Sequence, residues 1–274
     1  MEEGGNVFSL VNISKEIRKK TLECISAFGS GHIGGSLSIV DLLTVLYFKV
    51  MNIDVNDSKK DNRDRLVVSK GHAGPAVYAT LAQKGFIKES ELKTLNQIGT
   101  NLPSHCDMNK VNGVDMTTGS LGQGISCAVG IALAQKIKKQ DTFSYCIIGD
   151  GESQEGQVWE ACMFAANKKL DNFICFLDLN HLQIDGTIEE VNDCGSFKER
   201  FEGFGFDTYS IDGHDLDKIY ETINTAKNVK NKPHMIILNT IKGKGVSFIE
   251  STPSKNHSMP ITKEDLEKAL KELE

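Results

Sequence analysis

The chain has 274 residues, of which 39% are hydrophobic, enough for one large α/β core; a single domain over residues 1–274 is expected. A net charge of −6 without a long basic run argues against nucleic acid as a partner. No apolar stretch approaches the roughly 18 residues of a membrane helix, the opening MEEGGNVFSL lacks the basic flank and apolar core of a signal peptide, and a cytoplasmic protein with no membrane partner is expected.

Leu10, Ile13, Ile17 and Ile25 recur at helical spacing and predict a first helix that ends at the Gly29-Ser30-Gly31 breaker. His32 follows directly, in GSGHIGG. A second helix is predicted from Ser38 through DLLTVLYFKV, with Asp41 three positions on as an acidic variant of the capping box. RLVVS, residues 65–69, reads as a strand ending at Lys70-Gly71-His72. PAVYATLAQKG and ESELKTLNQIG carry helical patterns, and the glycine-rich loop at 119–124 opens a long helix to about Lys139. Two apolar runs, FSYCII and NFICFL, flank the helix-length SQEGQVWEACMFAANKK, the pattern of a βαβ unit. A helix near 195–203, a strand FDTYSI, a helix DLDKIYETINTAK and a strand HMIILNT follow. Residues 241–261 mix Gly, Ser, Pro and Lys and predict a loop excursion across the ligand edge, before a last helix capped by Thr262 and Asp265. The alternation predicts an α/β fold, a mostly parallel sheet with helices on both faces, whose ligands sit beyond the carboxyl ends of the strands. The seven cysteines are widely spread without a C-x-x-C pair and read as small core residues in a reducing compartment.

Parallel strands end on the same edge of a sheet, so Asp150, after FSYCII, and Asn180, after NFICFL, are expected close together. Carboxylate and amide oxygens suit Mg²⁺ or Ca²⁺, with waters and phosphates completing the shell. Gly149 and Gly151 would let a diphosphate approach the backbone. An isolated GDG is more often a turn before a helix, so the weight rests on the spacing to Asn180. His32, His72, His105 and His257 stand in or beside loops rich in small residues and could converge on one edge, to hydrogen-bond a ligand and shuttle protons. None of these pairs has the i, i+4 spacing of a helical zinc site, so ligand recognition ranks above metal ligation for them. His214 reads as a helix-start residue, and His181 and His234 as structural.

GSGHIGG, SKGHAGPA, LPSHCDMNKVNGVDMTTGSLGQG and the stretch from GDGE to NHLQIDG resemble, in that order and over residues 9–261, the amino-terminal part of transketolase. The resemblance implies a thiamine diphosphate-binding fold and, by length, the smaller amino-terminal subunit of a split transketolase. It implies thiamine diphosphate and a divalent ion, Mg²⁺ or in its place Ca²⁺ or Mn²⁺, held by Asp150, Asn180 and the backbone carbonyl of Leu182. By the same resemblance Gly151 contacts the diphosphate; Gly119, Leu121 and Ile184 lie against the cofactor; His72 and His257 face the diphosphate and reaction centre; and His32 and His105 contact the sugar. Glu155 and Glu160 match carboxylates near a dimer interface proposed to link paired active sites, although acidic residues near a helix start also favour the helix.

The implied activity is transfer of a two-carbon ketol unit from a phosphorylated ketose to an aldose, as in the pentose phosphate pathway. It implies a partner subunit carrying the pyrimidine-binding domain, in an α2β2 assembly, because no segment after residue 274 supplies that domain. Alternatives are a deoxyxylulose phosphate synthase-like or pyruvate-using enzyme, an unusual-ketose transketolase and a non-catalytic cofactor-binding chain. The motifs disfavour a dinucleotide-binding protein, since no G-x-G-x-x-G follows a strand near the start. Three positions depart from the family pattern: Ser104-His105-Cys106 replaces a common Gly-His-Pro, His257 sits in NHSMP rather than before glycine, and Ser120 stands where many relatives have proline.

Overall fold

The computed structural model describes residues 7–252 and 255–274, and its strands fall where the apolar runs place them. After a two-residue β1 (Ser30–Gly31) come β2 (Arg65–Val68), β3 (Ser144–Gly149), β4 (Phe173–Leu179), β5 (Asp207–Asp212) and β6 (His234–Asn239). The last strand, β7 (Met259–Pro260), pairs antiparallel with β1. The five longer strands form one parallel sheet in the order β2-β3-β4-β6-β5. Parallel strands covered on both faces need apolar residues pointing both ways, so FSYCII and NFICFL read as continuous rather than alternating runs. All of β3 is buried, whereas β5, at an edge, is only partly covered.

The helices are α1 (Val7–Phe28), α2 (Gly34–Leu37), α3 (Val40–Val45), α4 (Gly74–Lys84), α5 (Gln123–Ile137), α6 (Gly156–Asn167), α7 (Ile188–Asn192), α8 (Phe197–Gly203), α9 (Leu216–Asn228), α10 (Ser247–Glu250) and α11 (Lys263–Glu272). Successive residues of β3 and β4 enter different cores. Tyr145, Ile147, Ile174 and Phe176 pack with α1, α3, α4 and α9, while Cys146, Ile148, Cys175 and Leu177 pack with α5, α6 and α8. This is the expected α/β architecture with helices on both faces. All seven cysteines are free, and none of the described helices is long and apolar enough to cross a membrane.

Three local expectations differ. Ser38 does not cap a helix with Asp41: its hydroxyl donates to Asp178 Oδ2 at 2.8 Å, and the chain is already helical at α2. Asp41 instead accepts a two-pronged bond from Arg18 of α1, at 3.0 and 2.6 Å, and a bond from His214 Nδ1 at 2.8 Å. Burial opposes its ionisation, but His214 and Arg18 outweigh it and hold Asp41 below the usual carboxylate range. ESELKTLNQIG forms only a 3-10 turn, Glu89–Thr94, because Leu95 leaves the helical region and Asn96 turns left-handed at φ 57°. His214 does not start α9; the cap is Asp215, whose side chain accepts the Lys218 N–H, and His214 Nε2 accepts the Ile241 N–H at 2.9 Å. The Thr262–Asp265 capping box of α11 forms as expected.

Candidate active site

The carboxyl ends of β2, β3, β4 and β6 open into a cavity of about 610 Å³, the size of a small-ligand site. Lys70 and His72 arrive after β2, Asp150 and Gly151 after β3, Asn180 and Leu182 after β4, and Lys242 after β6. Every site residue singled out from the sequence lines this cavity except Glu160, which is exposed on α6 and does not reach it. Glu155, one position before α6, does line it. Leu121 and Ile184 are its exposed apolar residues, at 38% and 64%.

The register of β3 against β4 pairs Gly149 with Asp178, so the residues that follow lie side by side. Asp150 Oδ2 accepts the N–H groups of Asn180 and His181 at 2.9 and 2.7 Å, and its Oδ1 accepts the Gly151 N–H at 2.8 Å. Burial, then the neighbouring Asp178 carboxylate, raise Asp150 to a pKa of about 6 despite those donors. A poorly solvated carboxylate beside a second one is a site that a divalent cation would stabilise in its ionised form. Asn180 is oriented by donating from Nδ2 to Asp178 Oδ2 at 3.0 Å. The Leu182 carbonyl accepts from Lys242 Nζ at 3.3 Å. Carboxylate, amide and backbone oxygens form a hard-ligand set, so the residues present fit Mg²⁺ or Ca²⁺. They also leave room for a diphosphate: a Cβ on Gly35 would meet His72 Nε2 at 3.1 Å and Lys70 Nζ at 3.3 Å, and one on Gly151 would meet the Gln183 side chain at 3.2 Å.

The four loop histidines come together. Ring centroids lie 5.5 Å apart for His32 and His72, 5.6 Å for His32 and His105, 5.3 Å for His32 and His257, and 5.1 Å for His72 and His257. The altered flanks of His105 and His257 therefore do not remove either ring from the cluster. Asn256 explains the second case. Its carbonyl accepts the Gly34 N–H at 2.9 Å, and its buried amide donates to the carbonyls of Lys242 and Ile249, which anchors His257. Burial lowers all four histidines, joined by like charge from His105 on His32, from Lys70 on His72, and from Lys242 on His257, which falls to about 4. Neutral rings donate through one nitrogen and accept through the other, which suits them to hydroxyl recognition and proton transfer.

Sequence reasoning missed the charged groups beneath the cavity. Lys70, 1% exposed, donates to Asp178 Oδ2 at 2.5 Å and to the Gly35 carbonyl at 2.9 Å. Burial opposes ionisation of Asp178, but Lys70 with the hydroxyls of Thr240 and Ser38 holds it below the usual carboxylate range. Lys242 is lowered to about 8, by burial and then by Lys70. Glu152, 2% exposed, accepts the Ser69 hydroxyl and the Gly122 N–H (2.9 Å) on Oε1 and the Gly149 N–H (3.0 Å) on Oε2. It joins the loops bearing Lys70, Leu121 and Asp150. Glu152 stands in the GDGE stretch and Lys70 in SKGH, but no local pattern marks what they hold.

Residues 10–273 match the family model described as "Transketolase, thiamine diphosphate binding domain". The chain is 52% identical over 258 residues to the 6-deoxy-6-sulfo-D-fructose transketolase subunit SqwG of Clostridium sp. (strain MSTE9), covering 94% of each. It is 40% identical over 260 residues to one subunit of the apulose-4-phosphate transketolase of Phocaeicola vulgatus, covering 95% of this chain and 92% of that one. The crystal structure of Campylobacter jejuni transketolase superposes with a TM-score of 0.92 at 34% identity, over 98% of this chain but 43% of the longer one. With the βαβ-end residues and the histidine cluster in place, the chain belongs to the transketolase family, as its amino-terminal thiamine diphosphate-binding part.

Proposed function

We propose that this chain binds thiamine diphosphate with a divalent cation, Mg²⁺ above others, and with a pyrimidine-domain partner subunit transfers a two-carbon ketol unit from a ketose to an aldose. The observation that carries the reading is the convergence of Asp150 and Asn180, from adjacent strand ends, with four histidines in one cavity. Asp150, Asn180 and the Leu182 carbonyl are assigned to the cation, and Gly151, Gly119, Leu121 and Ile184 to the cofactor. Bound thiamine diphosphate supplies the carbon that takes up and releases the ketol group. Lys242 faces the assigned cation carbonyl and adds the positive charge that a diphosphate needs, which the neutral histidines do not supply. His72 and His257 hydrogen-bond the diphosphate and reacting groups, while His32 and His105 hold sugar hydroxyls and move their protons. Glu155 and Glu160 are assigned to an interface between two copies in an α2β2 assembly, and the chain to a single intracellular domain.

Relatives named as subunits support the partner, and calorimetry with turnover assays tests it. Thiamine diphosphate and Mg²⁺ titrated into the chain should bind, Asp150→Ala should lose the metal-dependent part, and turnover should appear only with the partner. Robust turnover by the chain alone, or unchanged cofactor affinity in Asp150→Ala, refutes the assignment. A narrower reading, a donor that is an unusual ketose rather than a pentose phosphate pathway sugar, is favoured by the 52% identity to a 6-deoxy-6-sulfo-D-fructose transketolase subunit. Comparing kcat/KM of the reconstituted enzyme for that sugar and for fructose 6-phosphate decides between them.

A further inference from the structure

A second cavity, of about 540 Å³, shares no lining residue with the first. It lies at the opposite end of β2, where the strand begins at Arg65 beside Ser144. Its cations are Lys59, Arg63, Arg65 and Lys110, and its only carboxylate is Asp115. In a chain of net charge −6 this is a local reversal of sign.

Asp115 offsets only part of it. Both of its oxygens engage the Arg63 guanidinium, and Oδ2 also accepts the Leu66 N–H at 2.9 Å, so its direct contacts go to Arg63 and the backbone. Among the described residues no carboxylate is in ion-pair contact with Arg65, Lys59 or Lys110, and Asp115 and Asp61 act on Arg65 from a distance. Arg65 Nη2 donates to the Lys60 carbonyl at 3.1 Å, but Nη1 is buried with no partner, and so is Arg63 Nε. Buried donors without acceptors are each destabilising by about 1–3 kcal/mol, so the two arginines are held in place at a cost to stability.

The walls are built rather than loose. Asn112 accepts the Ser58 hydroxyl and donates to the Phe86 carbonyl at 2.9 Å, tying the 107–115 loop to two other segments. Gly113 takes φ 90°, and a Cβ there would strike Leu81 Cδ2 at 2.7 Å, so the loop is pressed onto α4. Guanidinium and ammonium side chains lining one cavity with fixed walls are the recognition chemistry of a phosphate group.

We propose that this cavity, built on Arg65, Lys59 and Lys110, binds a dianionic phosphate group, either free phosphate or the phosphate of a sugar ester. The loop that forms it runs on to Thr118, whose hydroxyl donates to the Val68 carbonyl at 2.8 Å, and to Gly119 of the first cavity. Occupancy is therefore placed to stiffen the segment leading into the active site without entering it.

Calorimetric titrations at fixed ionic strength, one with inorganic phosphate and one with a hexose monophosphate, test the proposal on the full chain. Lys59 and Lys110 are exposed, so Lys59→Glu/Lys110→Glu should fold normally and lower affinity at least about tenfold, whereas Lys242→Ala should leave this site unchanged. Arg65→Gln should weaken binding with thermal stability retained or raised, since it removes an unpartnered buried donor. Tighter binding of the ester assigns the site to a metabolite, and equal binding assigns it to free phosphate. Affinity unaltered in Lys59→Glu/Lys110→Glu, loss in Lys242→Ala instead, or equal competition by chloride overturns the proposal.

Discussion

Replacing Glu152 by Gln tests whether one buried carboxylate fixes the geometry of the active site. Its oxygens accept donors from three loops: Ser69 before Lys70, Gly122 after Leu121, and Gly149 before Asp150. A glutamine of the same shape keeps one acceptor oxygen and sets an N–H against at least one of these donors. Hydrogen bonds to a charged acceptor are worth about 1.5–3 kcal/mol and an orphaned buried donor costs about 1–3 kcal/mol, so a loss of roughly 2–4 kcal/mol follows. That is a large share of the roughly 5–15 kcal/mol of a typical domain, yet leaves the variant folded. Urea denaturation should show a lower midpoint with unchanged m. A calorimetric titration at a temperature where the variant is fully folded should show thiamine diphosphate affinity down by about tenfold, because the loops no longer hold their spacing. An unfolding free energy within about 0.5 kcal/mol of wild type would show that Glu152 holds nothing. A lowered midpoint with unchanged affinity would show that it stabilises the fold without positioning the site.

Asp41→Ala leaves Arg18 and His214 unpaired in the core and should destabilise by about 3–5 kcal/mol, read from denaturant midpoints. Gly34→Ala drives a Cβ into the Asn256 carbonyl and to 2.9 Å from Lys242 Cγ; a loss of about 1–3 kcal/mol with weakened cofactor binding is expected, checked by melting and titration of the same preparation. The histidine cluster predicts acid sensitivity. Its folded pKa values lie below the ordinary 6.5, so the unfolded chain takes up protons first, and stability present above pH 6.5 is lost as pH falls toward 4. His257→Gln should flatten the melting temperature between pH 6.5 and 4, and an unchanged slope would show that His257 is not held neutral in the folded protein.

The sequence by itself determined the five-strand pattern, because parallel strands buried on both faces demand unbroken apolar runs such as SYCII and FICFL, bounded by glycine or charge. It also determined that Asp150 and Asn180 meet, since both follow parallel strands, and its ordered motifs named the four histidines. What it could not yield were partnerships between distant segments. Asp41 has the spacing of a helix cap but directs its charge to Arg18 and His214, because a carboxylate buried in the core must be matched by charged or hydrogen-bonding partners. Lys70 and Lys242 are 172 positions apart and become neighbours only because β2 and β6 end on the same edge of one sheet. Arg65 looks like an ordinary strand-start residue until folding buries one of its nitrogens without a partner. Local patterning fixes elements and their direction; which charges face one another is decided by the sheet order and the burial it imposes, and that exists only in the tertiary structure.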